Sequence, residues 1–282
     1  MFSLLELVGP IAPLKIVDVG AMSIGGGATQ YDALLKTDGC QVIGFEPQPD
    51  ECARLNQMHG DRHQYLPYVI GDGGTYTFHQ CASPATSSVY RPNEKLLQKF
   101  GNLAELCRVV KQYPVTSKRL DEIPEVWEAD YLKLDVQGAE VEVLLGAKRL
   151  LKSVVVVHTE VEFVPLYTDQ PLFADVDQLL RQHGFLFYRF YDTASYNMPP
   201  FNIRDEHNQP VGQTLWTDAV YLKSFMQFDE LPAKKLLNLA LILHELYRAL
   251  DLAYAALKQY DQKTGADLAA TYLAQIQQTS TK

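Results

Sequence analysis

The sequence predicts an α/β protein with a doubly wound, mostly parallel sheet and a helical hairpin at its carboxyl end. Three observations predict it. Short apolar runs alternate with helical patterns from residue 15 to about residue 192. Acids stand at the ends of three of those runs, at Asp18, Glu46 and Asp135. Leucines then recur every seven residues, at 236, 243, 250 and 257.

Residues 15–20 read as the first strand, apolar at Ile16, Val17 and Val19. A helix is expected over 28–36, a second strand over 41–46, a helix over 49–59 and a third strand over 65–70. Residues 75–81 set Tyr76 and Phe78 against Thr77 and His79, the alternation of a small hairpin strand. Residues 91–108 are weakly helical, 109–117 extended, and 120–127 a short helix broken by Pro124. The fourth main strand covers 131–136. The helix over 139–151 carries Val141, Leu144, Leu145 and Leu151. The β-branched run 154–157 leads on to Glu162, as in a strand buried on both faces. Residues 173–183 are helical until Gly184, and 185–191 form an aromatic strand.

Residues 192–216 are rich in Pro, Asn and Asp and read as a long loop before a final strand at 218–223. From Pro232 the chain is helical. Leu239, Leu246, Ala253 and Tyr260 accompany the leucine repeat, an a/d seam of about three and a half heptads. A second helix is expected over 266–278, set off by Gly265. The expected division is an α/β domain over 1–228 and a hairpin over 229–282. The seam packs within the hairpin or on the core, with a homodimer contact as the alternative.

A chain of 282 residues with 47% hydrophobic content can bury a full core. The net charge of −9 and the lack of a basic stripe argue against a nucleic-acid partner. Cysteines at 40, 52, 81 and 107 have no C-x-x-C spacing, so neither a zinc knuckle nor a redox pair is indicated. Free thiols point to a reducing compartment. The amino terminus has no basic stretch of a secretory signal, and no apolar run reaches the ~20 residues of a membrane span. The expected location is cytoplasmic.

The chemistry gathers at strand ends. In open α/β sheets, ligands bind outside the carboxyl ends of the strands, where the strand order reverses. Val17-Asp18-Val19-Gly20-Ala21-Met22 runs on to Gly25, Gly26 and Gly27. A glycine-rich turn there lets a ligand approach the backbone, although a plain βα turn uses glycine too. The dinucleotide pattern G-x-G-x-x-G does not fit, which counts against a nicotinamide enzyme and suits a smaller ligand with an amino-acid end. Glu46 is either a solvated strand-end acid or the acceptor for two ribose hydroxyls; Gly20 and Pro47 favour the ribose. Asp72, in Ile70-Gly71-Asp72-Gly73-Gly74, could accept from an adenine amino group or simply brace a turn. Together these acids suggest one crevice shared by a nucleoside cofactor and a substrate.

At these residues the chain resembles the FkbM-type methyltransferases. The resemblance rests on Asp18-Val19-Gly20-Ala21, Phe45-Glu46-Pro47, Leu120-Asp121 and Leu132-Lys133-Leu134-Asp135-Val136-Gln137-Gly138-Ala139-Glu140. It continues through Gly146-Ala147, Glu160-Val161-Glu162-Phe163, Leu166-Tyr167 and Leu215-Trp216-Thr217-Asp218-Ala219-Val220-Tyr221. It implies a class I, Rossmann-like sheet of seven strands with an antiparallel last strand. It implies S-adenosylmethionine as cofactor and methyl transfer to a hydroxyl of a sugar, glycan or other small natural product. Cofactor contacts are then expected from Asp18, Gly20, Ala21, Met22, Glu46, Pro47, Asp72, Asp135 and Gln137. Many members have Asn where this chain has Met22. The segment 232–282 lies outside the resemblance.

A sugar hydroxyl is a poor nucleophile, so a positioned base should take its proton. Asp135, Glu160 and His158 are the candidates, and His158 and Glu160 share a strand face. Asp135 could instead hold the amino group of the methionine portion. Lys133 shares a face with Asp135 and could fix its charge. A histidine in a buried strand is also commonly just a satisfied core residue. No metal is expected, since no acid spacing is diagnostic of one. A scaffold that kept the fold without catalysis is the remaining alternative, which the helical hairpin favours.

Overall fold

A computed structural model describes residues 2–9, 13–22, 29–36, 39–58, 60–201 and 212–280. The strands are β1 (Leu14–Val19), β2 (Cys40–Phe45), β3 (His63–Leu66), β4 (Thr75–Cys81), β5 (Val109–Thr116), β6 (Tyr131–Leu134), β7 (Val156–Glu162), β8 (Phe185–Tyr196) and β9 (Gln213–Lys223). Seven of them form one sheet in the order β3-β2-β1-β6-β7-β9-β8. β1, β2, β3, β6 and β7 run parallel. β9 runs antiparallel to both β7 and β8. β4 and β5 make a separate hairpin. The chain winds outward from β1 to β3, then crosses back to β6. The switch point therefore lies between β1 and β6, where a ligand crevice is expected.

Alternation along the strands splits the core in two. Ile16, Val42, Tyr131, Val156 and Val220 face one side; Val17, Ile43, Leu132, Val157 and Tyr221 face the other. The short helices α1 (Leu4–Val8) and α2 (Asp32–Leu35) lie on the first side. α3 (Pro49–Met58) packs beside β3. α4 (Glu94–Leu97) and α5 (Leu103–Leu106) belong to a third cluster over the carboxyl tips. α6 (Glu140–Leu145), α7 (Leu150–Ser153) and α8 (Phe173–Gln182) cover the second side.

Several expectations are corrected. The helix expected over 139–151 is two helices, α6 and α7. Gly146 between them lies so close to the Gly71 carbonyl that a Cβ would overlap it. Residues 120–127 are two 3₁₀ turns rather than one helix. The loop expected over 192–216 is largely a hairpin, because β8 and β9 extend through Tyr196 and Gln213. Register shifts along that pairing break the period of two, which hid it. Residues 202–211 fall outside the described residues, as do Gly25, Gly26, Gly27 and Ala28.

The carboxyl end forms three helices, not two: α9 (Ala233–Glu245), α10 (Leu250–Thr264) and α11 (Leu268–Ser280). The leucine repeat crosses a break at Arg248, whose φ is +53°. Every residue of α9 from Lys235 to Glu245 is buried. A leucine-rich helix buried on all sides belongs inside a core, and its Lys235, His244 and Glu245 are answered there by hydrogen bonds or ion pairs. Leu236, Leu239 and Leu243 join Ile16, Tyr131 and Val156 in one cluster, which also takes in Phe228 and so crosses the expected boundary at 228/229. The seam thus lies within the chain.

Gly20 shows how the switch point is closed. Its φ is +81°, and a Cβ would overlap the Asp135 carbonyl oxygen. Gly20→Ala is expected to cost about 2 kcal/mol or more from the left-handed backbone and the overlap together. A thermal melt of the variant measures it; an unshifted midpoint would refute this tight approach of β1 and β6.

Candidate functional site

The site is built on four strand tips. Beyond β1, the N–H groups of Gly20 and Ala21 both donate to the Phe45 carbonyl, at 3.1 and 3.0 Å. Glu46 follows β2, is 2% exposed, and accepts from the Gln48 N–H at 2.8 Å. Burial raises its pKa to about 7. Beyond β6 the chain turns sharply at Gln137 and Gly138, with φ of +58° and +91°.

That turn aims Gln137 at two acids. Its Nε2 donates to Asp135 Oδ1 at 2.9 Å and to Glu160 Oε2 at 2.6 Å. Its Oε1 accepts from the Tyr167 hydroxyl at 3.1 Å, and its backbone carbonyl accepts from Ser88 Oγ at 2.7 Å. Glu160 and Glu162 lie two residues apart on β7. Burial raises the Glu160 pKa well above the carboxylate range, and the charges of Asp135 and Glu162 push the same way. Burial likewise raises Glu162, with Glu140 and Asp135 adding to it. The Glu140 carboxylate accepts from the Val136 N–H at 2.9 Å and so braces the turn from below.

Register explains what lies one row deeper. Asp18 pairs with Lys133 across β1 and β6, and Lys133 with His158 across β6 and β7. Lys133 Nζ stands 3.3 Å from Asp18 and 3.5 Å from Asp135, and donates to the Gly20 carbonyl at 3.1 Å. Burial pulls the lysine down, but Asp18 and Asp135 together carry it above its ordinary range. Asp18 also accepts from the Tyr31 hydroxyl at 2.7 Å.

The cavity above these tips holds about 430 Å³, within the range of small-molecule sites. Among the predicted residues, Gly20, Met22, Glu46, Pro47, Asp135, Gln137 and Glu160 line it together. Asp18, Ala21, Asp72, Lys133 and His158 do not. Ala21 packs with Cys52, Leu55 and Tyr65. Asp72 accepts from the Gly74 N–H and the Tyr76 hydroxyl, both at 2.8 Å, so it braces its own turn. His158 has both ring nitrogens engaged away from the cavity, with the Tyr247 hydroxyl at 2.9 Å and Asp218 at 3.0 Å. That removes it from the candidates for the base. Lys133 holds the acids from beneath.

Sequence reasoning missed Glu162, Tyr68 and the apolar wall of Leu97, Leu103 and Leu106, all of which line the cavity. The spacing of two from Glu160 was a usable signal for Glu162. The wall comes from short helices with too few turns to show a period.

The model of the FkbM methyltransferase domain matches residues 18–187, more than half of the chain. The chain belongs to the FkbM methyltransferase family. The FkbM match spans all four strand tips on which the site is built. A curated relative, the 2-O-methyltransferase NoeI of Sinorhizobium fredii (strain NBRC 101917 / NGR234), is 30% identical over 190 residues, 63% of this chain and 74% of the relative. Solved structures that are similar include magnesium protoporphyrin IX methyltransferase of Synechocystis PCC 6803 with bound SAM, at 14% identity and a TM-score of 0.35, covering 77% of this chain and 74% of that one. Another is an S-adenosylmethionine-dependent methyltransferase of Mesorhizobium loti, at 10% identity and a TM-score of 0.38, covering 77% and 95%. The cofactor that FkbM membership implies is S-adenosylmethionine. No helix among the described residues is long and apolar enough to cross a membrane.

Proposed function

We propose that this chain transfers a methyl group from S-adenosylmethionine to a hydroxyl oxygen of a sugar, glycan or other small acceptor. The observation that carries this reading is one cleft with Glu46 at one tip and the Asp135–Gln137–Glu160 trio across the switch point. The residues fit the cofactor. Glu46 offers a buried carboxylate to two ribose hydroxyls. Phe45, Tyr68 and Ile70 offer an apolar surface to the base, and Gly20 and Asp135, which line the same cleft, are assigned to the methionine end. When bound, the cofactor supplies an activated methyl group.

The chain's own task is to hold the acceptor oxygen in line and to receive its proton. Glu160 suits the second role. Its raised proton affinity makes it a stronger base than a solvated carboxylate, and the Gln137 amide fixes its direction. The relative named for 2-O-methyl transfer supports an oxygen acceptor.

Calorimetric titration tests the cofactor half. S-adenosylhomocysteine should bind and a nicotinamide dinucleotide should not; the reverse outcome ends the reading. Glu46→Ala should weaken the binding about 10- to 100-fold, the worth of hydrogen bonds to a charged group. Ligand hydroxyls donating to Glu46 favour its ionised form, so binding should release a proton. Affinity should therefore rise from about pH 6 to about pH 8 in the natural chain, through the raised Glu46 pKa, and stay flat in Glu46→Gln. Equal pH dependence in both would remove Glu46 from the ribose.

A further inference from the structure

The cleft has a second half that the cofactor does not need. Beyond Gln137 and Glu160 its wall is Leu97, Leu103, Leu106, Leu166, Tyr196 and Trp216. This wall is backed by an apolar cluster containing Phe100, Cys107, Ala194 and Leu215. A bare sugar, with a hydroxyl on nearly every carbon, would leave many donors and acceptors unanswered against such a wall. A chain or ring of carbons would be buried there at a gain.

Charge gives an independent constraint. Four carboxylates line the described part of the cleft, those of Glu46, Asp135, Glu160 and Glu162. Among the described lining residues there is no lysine, arginine or histidine. Lys133 lies beneath and is engaged by Asp18, Asp135 and the Gly20 carbonyl. Lys118 is exposed and sits 3.6 Å over the Tyr68 ring, at the Glu46 end. A phosphate placed beside Glu160 would enter a buried, acid-lined pocket with no described cation in its lining to meet it.

We propose that the acceptor is a hydroxyl compound without phosphate or other anion, and that it carries an apolar arm seated along Leu103, Leu106, Leu166 and Trp216. This rests on the methyl-transfer reading of the same cleft. It also sets a place in a reaction sequence. Where the hydroxyl belongs to a sugar, a glycosyl-transfer reaction must already have moved that sugar off its phosphate-bearing carrier.

The test uses the full chain saturated with S-adenosylhomocysteine. Three sets of probes are titrated: n-octyl glycosides of a panel of hexoses and deoxyhexoses below their micelle concentration, the matching free sugars, and the matching sugar 1-phosphates. At least one octyl glycoside should bind about tenfold or more tighter than its free sugar, since each buried methylene adds to affinity. The matching 1-phosphate should bind no better than the free sugar. A 1-phosphate that binds as well as the octyl glycoside overturns the proposal. So does a panel in which no octyl glycoside outbinds its free sugar, including one in which nothing binds.

Turnover with S-adenosylmethionine separates the two readings. Octyl glycosides that bind but are never methylated count against hydroxyl methylation and leave this seat intact. Methylation of sugar phosphates in preference to octyl glycosides supports hydroxyl methylation and overturns the seat. Leu106 is half-buried, so Leu106→Asn should fold, as a thermal melt will report. It should shrink the octyl-over-free ratio at least about threefold, as loss of a packed apolar side chain does. Leu106→Met, which keeps an apolar surface, should preserve it. An unchanged ratio in a folded Leu106→Asn overturns the seating of the arm.

Discussion

Lys133→Met is expected to destabilise the chain by about 3–5 kcal/mol, the usual result of removing one partner from a buried ionic group. The side chains of Lys133 and Asp18 are 9% and 6% exposed, so water cannot replace the lost cation. Asp18 would keep the Tyr31 hydroxyl, and Asp135 would keep Gln137, but neither neighbour carries a charge. The sign of the pH dependence follows. The lysine's raised pKa means its contribution is fully present below its unfolded value and fades only as pH climbs through the folded one. The natural chain therefore holds this stability across the neutral range. Urea unfolding of both chains at neutral pH measures it. A deficit under about 1 kcal/mol at neutral pH would mean that water or backbone groups already solvate the acids.

Glu160→Gln is expected to lower kcat by about 100-fold or more, while the affinity for S-adenosylhomocysteine stays within a few-fold. The substitution keeps the shape and removes the proton acceptor. Rate against pH gives a second readout. The natural chain should gain rate as Glu160 ionises, on a limb displaced upward from ordinary carboxylates by burial and by Asp135 and Glu162. That limb should vanish in Glu160→Gln. Asp135→Asn should instead weaken the cofactor, if Asp135 holds its amino end. If Glu160→Gln turns over normally and Asp135→Asn loses the limb, the base is Asp135.

Much of the sheet could be read from one sequence because its strands are short, apolar and set off by glycine. The 131–140 stretch put Asp135 at a strand end and Glu140 in the first turn of a helix, and the structure has them there, with Gln137 between them bridging two acids. Alternation also placed Lys133 under Asp135. The errors have a common cause. A rule that works along one strand does not say how deep a row lies. His158 shares a face with Glu160, yet it sits one row lower, among Tyr131, Tyr191 and Tyr247 rather than at the cleft. The heptad leucines failed in a similar way. A period of seven was satisfied across a backbone break, because α9 is rich in leucine and buried along its length. The wall of Leu97, Leu103 and Leu106 was illegible because helices of four residues show no face.

The burial of α9 against β1, β6 and β7 bears on how the molecule is made. The ribosome delivers that helix after all seven strands of the main sheet. Until it emerges, a greasy surface that includes Ile16, Tyr131 and Val156 lacks part of its cover. A nascent chain halted near residue 230 should therefore cling to chaperones and precipitate when released, as half-covered intermediates do. Trimming the gene at the end of the family match would go further and remove β9 and most of β8 as well.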